Sequence, residues 1–185
     1  MDKIALFGTS ADPPTKGHQI IIQWLSDNFD KVAVWASDNP FKSHHASLEM
    51  RSQMLEILIK EIQPPRDNIL VCTEISSHRT LETVQRAKSK WQQEKLALVV
   101  GGDIVGQLPD WYKIEELLEQ VGLLVVPRPG YSIKEADLEK LRQLGAKVEI
   151  AAMEGPDVSS TAYRQGRDTS NLTPAIQAFI GQDLY

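Results

Sequence analysis

The sequence predicts an α/β fold, a doubly wound and mostly parallel sheet with helices on both faces. Two observations carry that expectation. Short stretches such as Lys3–Phe7 (after its first residue), Leu96–Gly101 and Gly122–Val126 are continuously apolar rather than apolar at alternate positions, the pattern of strands buried on both faces. Between such stretches lie segments whose apolar residues return at helical spacing. Strands alternating with helices fold as crossover units around one parallel sheet.

The elements follow in order. Lys3–Phe7 is the first strand, and Gly8 ends it. A loop of Gly, Ser, Asp and Pro leads into a helix from Gly17 to Leu25, marked by Ile21, Trp24 and Leu25. Lys31–Ala36 is the second strand. Ser47 caps the next helix, whose apolar face is Met50, Met54, Leu55, Leu58 and Ile59 and which Pro64–Pro65 end. Asn68–Cys72 is the third strand, Thr80–Trp91 a helix and Leu96–Gly101 the fourth strand. Ile114–Glu119 is a short helix, and Gly122–Val126 is a fifth strand closed by Pro127 and Pro129. Ser132 caps a helix through Leu144, which Gly145 stops, and Lys147–Ala151 is the sixth strand. Helical stretches cover Ser160–Gln165 and the residues after Pro174. At 185 residues, 42% hydrophobic and 24% charged, the chain suits one core. Residues 1–185 therefore read as a single Rossmann-like domain. Ligands in such sheets bind beyond the carboxyl ends of the strands, so the loops that follow strands are the informative ones.

Composition removes several function classes. A net charge of −5 lacks the basic footprint of a nucleic-acid polymer binder, yet a nucleotide site needs only a local cluster of cations and amides. The single cysteine, Cys72, excludes an internal disulfide framework and a multi-cysteine metal site; in its apolar run it reads as a buried structural thiol. The opening MDKIALFG is neither a signal peptide nor a membrane span, so no membrane partner is expected and the cytoplasm is the expected location. Trp24, Trp35 and Trp91 read as core residues, and the adjacent His44 and His45 as surface residues rather than a metal pair.

The loop after the first strand reads GTSADPPTKGH, from Gly8 to His18. Gly8 permits close approach of backbone to a ligand. The amides that follow, and the positive end of the helix opening at Lys16–Gly17, suit an anion. His18 in the first turn could donate to the same phosphate. The loop is neither a Walker A sequence nor GxGxxG. On this loop alone, a plain strand–turn–helix shaped by two prolines and an anion-binding turn stand level.

The segment resembles the T/HxGH loop of nucleotidyltransferases that work without a protein nucleophile. Its ADPP lead-in resembles FDPxHxGH of the nicotinate-mononucleotide adenylyltransferases, with Thr15 and His18 on the two polar positions. The resemblance implies that His18 contacts ATP phosphates, with Gly8, Thr9, Ser10 and Thr15 beside them. This chain departs from the usual pattern at Thr15, where the family has His, at Ala11, where it has an aromatic, and at Thr9, where it has a second glycine. TxGH also occurs in pantetheine-phosphate adenylyltransferases, so this loop leaves the acceptor open.

After the sixth strand, VSSTAYR offers hydroxyls and a helix start, with Arg164 one turn on. Alone it reads as a helix cap with a surface arginine. It resembles the family motif ISSTxIR, which implies that Ser159, Ser160, Thr161 and Arg164 hold the β- and γ-phosphates. Gly101-Gly102-Asp103 and Trp111 match a GxD…W pattern, implying that Gly102 and Asp103 meet ATP and that Trp111 stacks on a ring. Arg128 lies in VVPRPGY, held at a strand end and suited to a phosphate; it matches the family's RPG segment. In EISSHRTLET, Thr80 and Thr83 match the threonines of a stretch that binds the nicotinate carboxylate, but its aromatic is absent. Arg79 is the alternative source of positive charge for that carboxylate, a hypothesis that an unchanged acid/amide preference in Arg79→Ala would undo. Lys42, in Pro40-Phe41-Lys42, matches a substrate-side lysine. The closing LTPAIQAFIGQDLY resembles the family's C-terminal segment, so the likeness spans essentially the whole chain.

Together these resemblances imply adenylyl transfer from ATP to nicotinate mononucleotide, giving deamido-NAD and pyrophosphate. His18 and Arg164 would be catalytic. Lys42, Arg79, Thr80, Trp111 and Arg128 would hold the mononucleotide, and Mg²⁺ would bind through phosphates and water rather than protein ligands. The partners expected are ATP and a pyridine mononucleotide, with a homo-oligomer left open. The alternatives are the same chemistry on nicotinamide mononucleotide or phosphopantetheine, and a non-catalytic nucleotide-binding protein on the same fold.

Overall fold

Six parallel strands form one sheet in a computed structural model that describes residues 1–156 and 160–181. The strands are β1 (Lys3–Thr9), β2 (Lys31–Ala36), β3 (Ile69–Val71), β4 (Lys95–Gly101), β5 (Gly122–Val126) and β6 (Val148–Ile150). Their order across the sheet is β3-β2-β1-β4-β5-β6, so the chain winds outward in both directions from β1 and β4. The continuous apolar runs have a clear physical reason. Alternate residues of one strand enter different cores: Ile4 and Leu6 pack on one face, Ala5 and Phe7 on the other.

Helices α1 (Lys16–Asn28), α2 (Leu48–Lys60) and α7 (Pro174–Ile180) supply Ile22, Leu25, Met54, Leu55, Leu58 and Ile176 to one core. Helices α3 (Thr80–Lys90), α4 (Ile114–Gln120) and α5 (Glu135–Gln143) cover the other with Val84, Leu117 and Leu141. The short α6 (Ser160–Gly166) follows β6. No described helix is long and apolar enough to cross a membrane.

The structure corrects three details. Helix α5 begins at Glu135 with Lys134 as its cap, not at Ser132; Glu135 and Asp137 in its first turn suit the positive helix end. Gly145, at φ +102°, ends the segment as expected. The 3-10 helix Gly102–Asp110 escapes a search for helical period, because its buried residues Gly102, Val105 and Leu108 fall every third position. Met50 is exposed, and the buried face of α2 runs instead through Arg51, Met54, Leu55 and Leu58. Trp35 and Trp91 are core residues, while Trp24 is half-buried against the core. Cys72 is buried and free, and burial followed by Glu74 pushes its thiol up to about 11. Residues 182–185 of the closing segment lie outside the described residues.

Candidate active site

The strand order reverses between β1 and β4, and a cleft of about 1230 Å³ opens at their carboxyl ends, where ligands of doubly wound sheets bind. Drug-sized pockets run to about 1,000 Å³, so this cleft has room for more than one small nucleotide.

Its floor is the loop from Gly8 to His18. Gly8 has a reason the sequence does not reveal: a Cβ there would lie 2.6 Å from the Trp35 indole. The missing side chain admits Trp35 as well as exposing backbone to the cleft. Beyond it, the Thr9 hydroxyl accepts the Ala11 N–H at 3.4 Å. Ala11 is buried in the left-handed region at φ 50°, a conformation that costs a non-glycine residue about 1–2 kcal/mol.

The surroundings hold that loop firmly. The buried Asp12 carboxylate accepts the His45 and Ala46 N–H groups at 2.7 and 3.1 Å. Arg51, only 2% exposed, donates to the carbonyls of Ser10 and Ser37 at 2.8 Å and of Ala46 at 3.1 Å. Sequence reasoning missed Arg51 and Asp12. A signal existed: Arg51 stands on the apolar stripe of α2, where a charge is rare unless paired.

Thr15 caps α1 and is buried. Its backbone N–H donates to His18 Nδ1 at 2.9 Å, and its hydroxyl lies 3.1 Å from the same nitrogen. Nδ1 is thus an acceptor, which places the ring proton on Nε2. Burial first, and then the charge of Arg128, lowers the His18 pKa from 6.5 to about 4. At neutral pH His18 is a neutral, oriented N–H donor on the cleft floor. Thr15, expected beside ATP, orients that donor.

The two ends of the chain meet here. Ser160 donates its hydroxyl to the Pro13 carbonyl at 2.6 Å across 147 positions of sequence. Arg164 donates to the Asp12 carbonyl at 2.8 Å and to the Thr161 hydroxyl at 3.2 Å. Ser160, Thr161 and Arg164 all line the cleft beside Ser10 and His18. Ser159 lies outside the described residues.

The far wall comes from the ends of β4 and β5. Arg128 and Asp103, expected to meet different substrates, form an ion pair at 3.0 Å. Arg128 opens a turn in which Pro129 is followed by Gly130 at φ +81°, closed by Tyr131 N–H donating to the Arg128 carbonyl at 3.2 Å. This is a type II turn, which favours proline then glycine. The cleft is lined by Gly101 rather than Gly102; a Cβ at Gly102 would press on Ile133 at 3.2 Å, so that glycine serves packing. Trp111 is half-buried and lines the cleft.

At the mouth stand Lys42, Arg79 and Thr80. Phe41, 94% exposed, stands beside Lys42. His44 is half-buried rather than on the surface, with Nε2 buried and unpartnered among the described residues. Burial, then Arg51, lowers its pKa. The Arg79 guanidinium lies over the Tyr112 ring, 3.8 Å from its centroid.

Comparisons with known proteins give the family and the fold. Residues 6–166 match the family described as cytidylyltransferase-like. The chain is 44% identical to a probable nicotinate-nucleotide adenylyltransferase of Synechocystis, over 97% of this chain and 96% of that protein. It is 32% identical to a probable nicotinate-nucleotide adenylyltransferase of Bacillus cereus, over 72% and 73%. Its fold matches the Plasmodium falciparum nicotinic acid mononucleotide adenylyltransferase complexed with NaAD, with a TM-score of 0.84, 18% identity and coverage of 98% and 96%. A putative nicotinate-nucleotide adenylyltransferase of Vibrio parahaemolyticus matches with a TM-score of 0.68, 21% identity and coverage of 100% and 94%.

Proposed function

The chain belongs to the cytidylyltransferase-like family and is a nucleotidyltransferase, and we propose that it transfers the adenylyl group of ATP to the phosphate of nicotinate mononucleotide. The products are deamido-NAD and pyrophosphate. One observation carries the reading: the loop ending in His18 and the helix bearing Arg164 are bonded together on one side of one cleft.

The reaction forms a bond from a mononucleotide phosphate oxygen to the α-phosphorus of ATP. It breaks the bond from that phosphorus to the oxygen bridging to the β-phosphate, and the electron pair leaves with pyrophosphate. The attacking phosphate is already anionic, so no general base is needed. Alignment and neutralisation of developing charge do the catalysis. His18 donates from Nε2–H to phosphate oxygen without itself titrating. Arg164, fixed by Asp12 and Thr161, keeps the remaining donors of its guanidinium for the leaving phosphates. Gly8, Thr9 and Ser10 bring the first-loop backbone to the nucleotide, with Ser160 and Thr161 at the start of α6 on the same side of the cleft. Lys42, Thr80, Trp111 and Arg128 hold the mononucleotide.

Mg²⁺ would be held by the triphosphate and water, and when bound it supplies further charge neutralisation. No group of three His, Cys, Asp or Glu converges among the described residues. Of the four aspartates that line the cleft, Asp12 is engaged by two backbone N–H groups and Asp103 by Arg128, and Asp38 and Asp110 are the other two. The reading keeps the cytoplasm as the location, where a lone thiol such as Cys72 stays reduced.

The test is pyrophosphate release from ATP and Mg²⁺ with nicotinate mononucleotide, nicotinamide mononucleotide or phosphopantetheine supplied separately. Fastest release with nicotinate mononucleotide is the expected result. Release only with another acceptor reassigns the substrate, and silence with all three removes the activity.

A further inference from the structure

Eight arginines occur in the chain, and the side chains of seven donate to an oxygen of the protein. Arg51 and Arg86 reach carbonyls, Arg66 and Arg142 reach carboxylates, and Arg167 reaches the Tyr163 hydroxyl. Arg128 and Arg164 are engaged as described above. The guanidinium of Arg79 alone has no acceptor among the described residues. It is exposed on the cleft lining, and its one partner is the face of Tyr112. Arg79 comes from the cap position of α3 and Tyr112 from the segment before α4, so the stack joins two walls of the cleft.

Stacking engages the face of a guanidinium and leaves its in-plane N–H groups free. Those groups form a planar fork that matches a carboxylate with two parallel hydrogen bonds. A carboxamide presents one acceptor oxygen and an NH₂ that meets the same donors head-on, so the fork separates acid from amide. Tyr112 directly follows Trp111, and Arg79, Trp111 and Tyr112 all line the same cleft. The nearest other cation to the ring, Lys113 at 5.5 Å, is paired with Glu116 at 3.5 Å.

We propose that Tyr112 is a positioning residue for acid selectivity, holding Arg79 edge-on to the carboxylate of the pyridine mononucleotide. The inference rests on the adenylyl-transfer reading and adds to it the device that chooses the acid substrate.

The experiment measures Kd for nicotinate and nicotinamide mononucleotides by calorimetry, and steady-state kinetics, for wild type, Arg79→Ala, Tyr112→Ala and Tyr112→Phe. Thermal melts check that each variant folds. Arg79→Ala is expected to weaken the acid about 10- to 100-fold, the scale of a charge-assisted pair, and the amide by far less. Tyr112→Ala should raise KM for the acid with little change in kcat, and Tyr112→Phe, which keeps the ring face, should restore it. Equal weakening of acid and amide would make Arg79 a phosphate contact and overturn the proposal, as would no weakening of either. Wild-type pyrophosphate release with nicotinate mononucleotide, measured alongside, tests the underlying reading separately. If release occurs and the acid/amide ratio does not move in Arg79→Ala, only this inference fails.

Discussion

Arg164 donates to the backbone carbonyl of Asp12 at 2.8 Å, joining α6 to the first loop across 152 positions of sequence. The Asp12 carboxylate, on the same residue, holds the loop that follows β2 through two backbone N–H groups. One buried aspartate therefore ties together three segments around the cleft, and the functional consequences can be measured.

His18→Ala should lower kcat by about 10²- to 10³-fold, the usual loss for one preorganised donor to developing charge. Folding should be retained, because His18 is half-buried and its hydrogen bonds among the described residues reach only Thr15, three residues away. Turnover assays beside a thermal melt check both statements.

The His18 ring should titrate near pH 4 in the free protein, followed by NMR. Arg128→Ala should raise that value, since Arg128 charge disfavours the imidazolium, yet leave it below 6.5 because burial is the larger cause. The sign for stability follows. Between pH 6.5 and about 4 the unfolded chain takes up a proton at His18 that the folded chain does not. The contribution of His18 to stability is therefore full above pH 6.5 and declines as pH falls through that window, and His18→Gln should remove that part of the slope.

Arg51→Met should destabilise the protein by about 3–5 kcal/mol, because three carbonyl partners are left without their donor in a buried setting. Arg51→Lys should recover only part, since an ammonium lacks the planar fork. Urea unfolding measures the difference.

These residues also mark how far the sequence was legible. Strands and most helices were readable because two-faced burial and helical period are local patterns, and the paired loops at Gly8–His18 and Ser160–Arg164 were readable as motifs. Contacts between distant segments were not. The Arg128–Asp103 pair, Arg79 on Tyr112 and Trp35 against Gly8 each depend on which strands become neighbours. The 3-10 helix at Gly102–Asp110 was hidden by its three-residue period. Arg51 was visible as a charge on an apolar stripe, but its three partners were not.

Gly8→Ala should cost about 1–3 kcal/mol, because the new methyl would overlap the Trp35 indole. The double variant with Trp35→Leu should lose less than the sum of the two single losses, since the smaller side chain vacates that space. Thermal unfolding of the four proteins closes the cycle.

The most direct test of the central claim follows the α-phosphorus. Incubating the protein with Mg²⁺, nicotinate mononucleotide and ATP labelled at that atom, and resolving the products by mass, tells where the label goes. The account predicts the label in a nicotinate-containing dinucleotide and unlabelled pyrophosphate in equal amount. Labelled AMP without a dinucleotide, or unchanged ATP, would contradict it.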